Sequence, residues 1–583
     1  MSQRAQIRGE IRRRADHHLA QDRLLVDYYR IRRRVSFPLP VTRMDMLRMP
    51  IDMDMQAGMA YPWATWLTWD LEERIHCLGW AGHHLEDSAA RRTVARDLLA
   101  LARWPTWRQY DKPDLSLGHC ARTLVTAHTR WPWLAPSVRR EIARAFTRML
   151  DDNLPLCDRY FGAWSRKEDI LALADPRIAL HNIPIIGTVG LALAAHAICH
   201  PAAAHLDRRL HMIYGALLDL LERGFTEGLA YDGYILDFVA MWLEELPERE
   251  RQPIVDHPRF LQFFEESCLL SAPGDAVQVA ELSDVEPLRM PFHLTAHAKC
   301  LALRADPRLR WYLDRCDLRA MRCEALAEML AAPSKPIIRS VAAGATDAHY
   351  ALVLRSGWET RDLAVAMSCT TSSMHHMHDD DGSIVIGTAG SWLIADPGYQ
   401  QYLKKKEREF TIGLDAHNAP VINGVAQNAK ACTRTALERT GGTCRAELDL
   451  TACYPADLGM TRVTRTVWLS GRDLVVVADR VVGANVSSVR YHWHAHPDAA
   501  WWWEDGAAMI RLGDTALWVQ CPGTAVSDAD ITRLPGSRGH LSLRAQLPGA
   551  DGIHWWIFSI GAKRLAVVRS ARAVRIDGRR FEL

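Results

Sequence analysis

Residues 372–424, SSMHHMHDDDGSIVIGTAGSWLIADPGYQQYLKKKEREFTIGLDAHNAPVING, decide how the rest of the chain is read. His376, His378 and Asp380 recur at period two, and two short apolar runs follow. Asp396-Pro397-Gly398 makes a turn, and Ala416-His417-Asn418 leads into a further apolar pair ending at Asn423-Gly424. In an extended segment, period two sets His376 and His378 on one side, so both can line one cavity. Strands carrying His378 and Asp396, with a third segment bringing His417, would offer two imidazoles and a carboxylate, a mixed set that suits zinc. The plainer alternative is a polar hairpin whose histidines are solvated.

Outward from this stretch the chain divides in two. Toward the C-terminus, 350–355, 461–469, 473–478, 488–493, 517–520 and 553–560 are short runs rich in Val, Ile, Trp and Tyr between Gly and Asp turns, the pattern of an antiparallel sandwich. Toward the N-terminus the periodicity is helical, with strand-like alternation almost absent. Residues 63–80, 88–104, 115–131, 137–154 and 206–223 each repeat apolar positions at helical spacing. Turn signals at Trp104-Pro105, Ala135-Pro136, Asp175-Pro176, His200-Pro201 and Gly224 separate them. The run 183–199 is apolar on every side, so it predicts a helix buried all round. The pattern changes around Pro333–Pro336. We therefore expect an α+β protein of two domains: paired antiparallel helices over 1–335 and a β-sandwich over 336–583.

The string HxHxD, a strand, a run into Asp-Pro-Gly, and Ala-His-Asn before a strand ending in Asn-Gly resembles the signature of the heparinase II/III-like polysaccharide lyases. That resemblance implies an N-terminal (α/α) toroid, a C-terminal antiparallel β-sandwich and β-elimination on a uronic-acid-containing poly- or oligosaccharide. It implies His376 as the catalytic histidine and His378, Asp396 and His417 as ligands of a mainly structural zinc. No organic cofactor is expected. Asp380 would fix the tautomer of a ligating imidazole.

Two segments of the helical half carry further resemblance. In LHNIPIIG, the family has an Asn, or a His, that binds the substrate carboxylate. Both His181 and Asn182 occur here, in an order reversed from some relatives, and Asn182 is favoured. The same residue also reads as a plain helix cap with Pro184 in the first turn; that position also favours an anion. In GFTEGLAYDGYILDF, Glu227-Gly228, Tyr231 and Tyr234 match the family's EG and following aromatics. Tyr231, beside glycines at a helix start, is the expected acid. Tyr234 fits a core stripe with Tyr231 and Phe238 at i, i+3, i+7, and stays a candidate substrate contact as the second aromatic. Relatives often have an Arg shortly before Ala-His-Asn. Ile412 holds that register here, which leaves Arg408 as the candidate substrate-binding cation.

Other clusters compete for attention. His492, His494 and His496 lie on one strand face. Neighbours two apart cannot easily all bind one small ion, so we read them as a polar face near the cleft. Asp114, Ser116 and His119 open another helix and would line a subsite. Glu227 and Asp232 are the one evident carboxylate pair for a glycoside hydrolase, a rival reaction on the same toroid. A catalytically silent sugar-binding or assembly protein would keep the fold without the chemistry.

Composition sets the outer limits. The 583 residues exceed one core's usual span, and 48% hydrophobic with 24% charged residues is ordinary for a globular protein. A formal net charge of +2 argues against a dedicated nucleic-acid binder, and the expected partner is an anionic polysaccharide. The 13 cysteines are odd in number and contain no CxxC, a poor disulfide framework that suggests a reducing compartment. Residues 1–25 read as an exposed amphipathic helix rather than a signal peptide. The run 183–199 is too short and mixed for a membrane span. The expected location is cytoplasmic, or periplasmic or secreted if a signal was removed, since such lyases are often exported. Self-association is left open.

Overall fold

The computed structural model describes residues 2–28, 33–44, 63–275, 278–285, 291–304, 306–332, 341–372, 376–398, 405–504, 506–523, 528–533, 541–548, 552–561 and 564–583. The first half is built from helices. Six of them, Trp63–His84, Leu115–Arg130, Asn182–Ala197, Leu229–Glu245, Phe292–Leu303 and Cys323–Ala331, each pack on the next, and the last returns to the first. They form a closed inner ring. Their sequences explain the placement: every residue from Pro184 to Ala195, and from Leu229 to Leu243, is buried, so these helices have no face to give to water.

An outer layer covers the ring with amphipathic helices. Pro136–Phe161 is typical, with Val138, Ile142, Ala145, Phe146, Met149 and Leu150 forming one buried stripe. Proline at its first position costs no hydrogen bond. Asp87 caps Ser88–Ala102 by accepting from the N–H groups of Ala89 and Ala90. The first helix, Gln3–Leu19, buries Ile7, Ile11 and Ala15 and leaves Arg4, Arg8, Arg12 and Arg13 outside. One expectation fails here. Arg23–Tyr28 and Arg33–Pro38 form an antiparallel hairpin within the helical half. Leu24, Val26 and Phe37 supply its buried face; the alternation was present but only a few residues long.

The ring's axis holds charge. Glu72 accepts from His119 at 2.8 Å, Arg122 at 2.7 Å and Arg322 at 2.9 Å. Arg122 also pairs with Asp237, and Lys299 spans Asp237 at 2.9 Å and Glu324 at 3.3 Å. Three carboxylates thus face three cations, so the charges of this cluster compensate one another. Burial drives the His119 imidazole down to about 4 despite the pull of Glu72.

The helical half closes with the helix Cys323–Ala331, and the sandwich opens with the strand Gly344–Asp347. An eight-stranded antiparallel sheet faces a second layer made of a five-stranded sheet, 344–394, and a four-stranded sheet. These two join edge to edge through the bridge Ile394–Ala495. The three central strands of the five-stranded sheet, Ala351–Arg355, Ala364–Ser368 and Ile384–Thr388, are buried on both faces. Ala351, Val353, Ala366, Val385 and Trp392 pack on the helical core, while Leu352, Leu354, Val365, Ile384 and Ile386 pack on the eight-stranded sheet. That double burial is why these strands read as continuous apolar runs. A small C-terminal sheet covers the outer face of the large one around Trp468, Trp555 and Phe581. No described helix is long and apolar enough to cross a membrane.

Candidate active site

The site forms where the ring meets the five-stranded sheet. Asn182 opens its helix as the first helical residue; His181 takes the cap position. Asn182 lies beside the Glu227 carboxyl, and its backbone and side-chain N–H groups favour the charged form of that carboxyl. Glu227 sits in the turn Thr226–Gly228, which is stapled to the sandwich. The Thr226 N–H donates to Ser372 Oγ, Ser372 Oγ donates to the Thr226 carbonyl at 2.8 Å, and the Leu229 N–H donates to the Tyr350 hydroxyl at 3.1 Å. Gly228 has φ +85°, and a Cβ there would come within 2.1 Å of Ser283 Oγ, so only glycine fits.

One turn into the next helix, Tyr231 lies flat on His376, ring centroids 3.5 Å apart and planes 9° apart. His376 Nε2 is 3.6 Å from Glu227 Oε1. Asn182 and Glu227 are each 4% exposed and Tyr231 and His376 each 6%: these side chains just reach the surface. Burial, with Asp232 nearby, holds the Glu227 carboxyl well above its usual range although Asn182 pulls it down. A neutral carboxyl beside an amide and an imidazole is a hydrogen-bonding surface for an anion.

HxHxD is not a strand. Residues 376–383 form an irregular turn and the strand starts at Ile384. The two imidazoles still share a cavity, because both meet Asp284: His376 Nδ1 lies 2.7 Å from its Oδ2 and His378 Nε2 lies 2.8 Å from its Oδ1. Asp284 belongs to a loop between helices, about ninety residues earlier, and sequence reading missed it. Asp380 accepts from Ser368 Oγ at 3.1 Å, and its charge helps to raise the His417 imidazole.

His378 continues into the second cluster. His417, just after a single 3-10 turn rather than on a strand, places Nδ1 2.7 Å from Asp396 Oδ2. Burial opposes protonation of His417, but the Asp396 carboxylate overrides it and raises the imidazole. His378, Asp396 and His417 can each aim one donor atom within 4.8 Å of the others. His378 Nδ1 and His417 Nε2 are buried with no hydrogen-bond partner. Two orphaned imidazole nitrogens beside a carboxylate fit three ligands of a zinc. Glu72, His76 and Glu324 also lie within such reach, but Arg122, Arg322 and Lys299 already occupy their carboxylates.

Asn418 ties this cluster together. Its amide donates to the carbonyls of Ile384 and Ala395, each at 2.8 Å, and its oxygen accepts the His494 N–H at 2.8 Å. Arg465, paired with Asp479, reaches through the sandwich to the Gly382 and Asn418 carbonyls. The Asn of Ala-His-Asn is thus a three-strand knot.

The remaining candidates are placed as follows. His181 points to Tyr160, its Nε2 3.2 Å from that hydroxyl. Tyr234 is not with Tyr231: it is fully buried, stacks on Phe292, accepts from Trp69 Nε1 at 2.8 Å and bonds to His119. No surface remains for a substrate contact, because helical spacing turns the position three residues on into the ring. Asp114 caps its own helix through the Leu117 N–H, and Ser116 and His119 are interior, so no subsite forms there. Arg408 falls in the helix Lys405–Ile412, and its side chain lies outside the described residues. His492 and His494 stack 5.8 Å apart. His492 lies 3.4 Å from Asp415.

A closed ring of paired helices joined to a two-layer sandwich, with a polar site at their junction, is the heparinase II/III-like architecture. Residues 341–546 match the family model "Heparinase II/III-like, C-terminal". Among solved structures the chain is similar to heparinase III, with TM-score 0.60 and 13% identity over 89% of this chain and 83% of that one. It is also similar to a mutant of the heparan sulfate lyase HepC from Pedobacter heparinus, with TM-score 0.57 and 12% identity over 98% and 88%. At these identities the likeness establishes the fold. No curated protein matches the sequence.

Proposed function

We propose that the chain is a polysaccharide lyase that cleaves a uronic-acid-containing poly- or oligosaccharide by β-elimination. The observation that carries this reading is the convergence of Asn182, Glu227, Tyr231 and His376 from both domains on one point. Elimination takes the proton at C5, alpha to the uronate carboxylate, and breaks the bond from C4 to the glycosidic oxygen. The C4–C5 double bond forms, and the leaving oxygen takes a proton. Charge builds on the carboxylate as C5 loses its proton, so the site must answer it with aimed donors. The Asn182 amide and the protonated Glu227 carboxyl are those donors. His376 and Tyr231, in contact with each other, supply the acid and base positions. If both protons move on one face of the sugar, Tyr231 handles both and His376 steadies the charge. If they move on opposite faces, His376 takes the C5 proton and Tyr231 donates.

We assign a zinc to His378, Asp396 and His417; when bound, it braces the sandwich edge that carries His376. A hydrolase is the weaker reading. It needs two carboxyls flanking the scissile bond, but Asp232 is turned back on its own loop, accepting from Thr226 Oγ1 and the Glu227 N–H. The test is a panel of uronate polymers, from glycosaminoglycans through alginate to bacterial exopolysaccharides, followed by ultraviolet absorbance of an unsaturated uronate. Rising absorbance supports the lyase. New reducing ends without it mean a hydrolase, and neither on any polymer means a silent binder.

A further inference from the structure

The Asp284 carboxylate is fully buried and meets two imidazoles with different tasks. We propose that Asp284 is a positioning residue that sets both tautomers at once, deepening the lyase reading, on which it rests for the role of His376. A carboxylate only accepts hydrogen bonds, so each imidazole must place its N–H on the nitrogen that faces it. His376 then carries its proton on Nδ1 and turns the Nε2 lone pair toward Glu227 and the sugar. His378 carries its proton on Nε2 and turns the Nδ1 lone pair toward Asp396 and His417. One side chain makes one histidine a proton acceptor and its neighbour but one a cation ligand. The two catalytically distinct clusters are joined through it.

The loop around Asp284 is built for this placement. The Asp284 N–H donates to the His376 carbonyl at 3.0 Å, and the Val285 N–H closes a tight turn onto the Ser283 carbonyl at 2.7 Å. Ser283 has φ +68°, a conformation that serine holds only when its surroundings fix it. The loop runs between two glycines from the two motifs. A Cβ on Gly228 would strike Ser283 Oγ, and a Cβ on Gly398, φ +66°, would come 2.6 Å from Glu281 Oε2. Glu-Gly in the ring and Asp-Pro-Gly in the sandwich therefore leave room for the same five residues. The glycines of both motifs serve Asp284.

The test reads the imidazoles directly. The full chain, with 15N-labelled histidine and stripped of metal by chelator, gives long-range 15N–1H correlations; His376→Gln and His378→Gln assign the two rings. We expect His376 protonated on Nδ1 and His378 on Nε2. The opposite tautomer at either ring in the unaltered chain overturns the proposal, and this result needs no variant to fold. In Asp284→Asn, whose amide faces one ring with N–H groups, at least one tautomer should switch. Zinc affinity by titration calorimetry should fall about 10–100-fold, and turnover on a cleaved polymer should fall ~10²-fold with KM nearly unchanged. A folded Asp284→Asn chain that keeps both tautomers and its zinc affinity also overturns it. If the unaltered chain cleaves no uronate polymer, the lyase reading falls, while the tautomers still decide the role of Asp284.

Discussion

Tyr231, from the helical ring, and His376, from the sandwich, are stacked with their planes 9° apart. Each ring fixes the other, so the acid–base pair proposed for the lyase would be completed only where the helical ring meets the sandwich. Tyr231→Phe keeps the stacked ring and removes only the hydroxyl. Turnover should fall ~10²–10⁴-fold, the usual cost of losing an acid–base group, with the melting temperature and substrate binding nearly unchanged. Tyr234→Phe should do the reverse, sparing turnover but lowering stability by about 1–3 kcal/mol, because buried Trp69 and His119 lose a partner. Steady-state kinetics and thermal melts on both variants separate the two phenols.

Gly228→Ala tests whether the turn really needs glycine. Alanine would add strain at φ +85° and a contact 2.1 Å from Ser283 Oγ. We expect a loss of about 1–3 kcal/mol together with reduced turnover, since Ser283 neighbours Asp284. Adding Ser283→Ala removes the hydroxyl and should restore part of the stability, but not the share due to backbone strain. Melts of the single and double variants measure it.

Bound metal contributes to folding. If His378, Asp396 and His417 hold zinc, elemental analysis should find about one equivalent per chain, as a single mixed-ligand site requires. His417→Ala should lose the metal and melt lower. Full occupancy in that variant, or metal on the strand bearing His492 and His494, would reject the assignment.

The sequence made periodicity and local motifs legible, and those carried most of the fold. The all-apolar run at 183–199 became an inner-ring helix because a helix apolar on every side must be enclosed. Metal-ligand candidates spread over forty residues were readable because each sits beside a turn signal. Asp284 was not readable. A lone aspartate in a loop has no period, and its importance comes from a contact spanning 92 residues to His376. The hairpin at 23–38 was missed for a different reason: its alternation covers too few residues to outweigh the helices around it. Tyr231 and Tyr234, three residues apart, share a motif but not a fate. Helix rotation alone sends one to the domain junction and the other into the ring.

The pH response of Glu227 follows from its burial. Burial first, then Asp232, raises the carboxyl well above its ordinary value of 4.5 in the folded chain, so the folded state holds the proton more tightly than the unfolded one. The sign follows: this group's stabilising contribution is complete below pH 4.5 and is lost as pH rises through the folded value. Glu227→Gln keeps the shape and an N–H donor but cannot ionise. It should match the parent chain's melting temperature near pH 4 and exceed it at pH 8–9, by roughly 1–3 °C for a chain of this size. Turnover near neutrality should stay within about tenfold of the parent, because a neutral donor remains beside Asn182; Glu227→Ala should lose about 10²-fold or more. Melts at several pH values, with rates on a cleaved polymer, check both parts. A Gln variant that is less stable than the parent at high pH would mean that Glu227 is ionised there and serves as a charge, not as a donor.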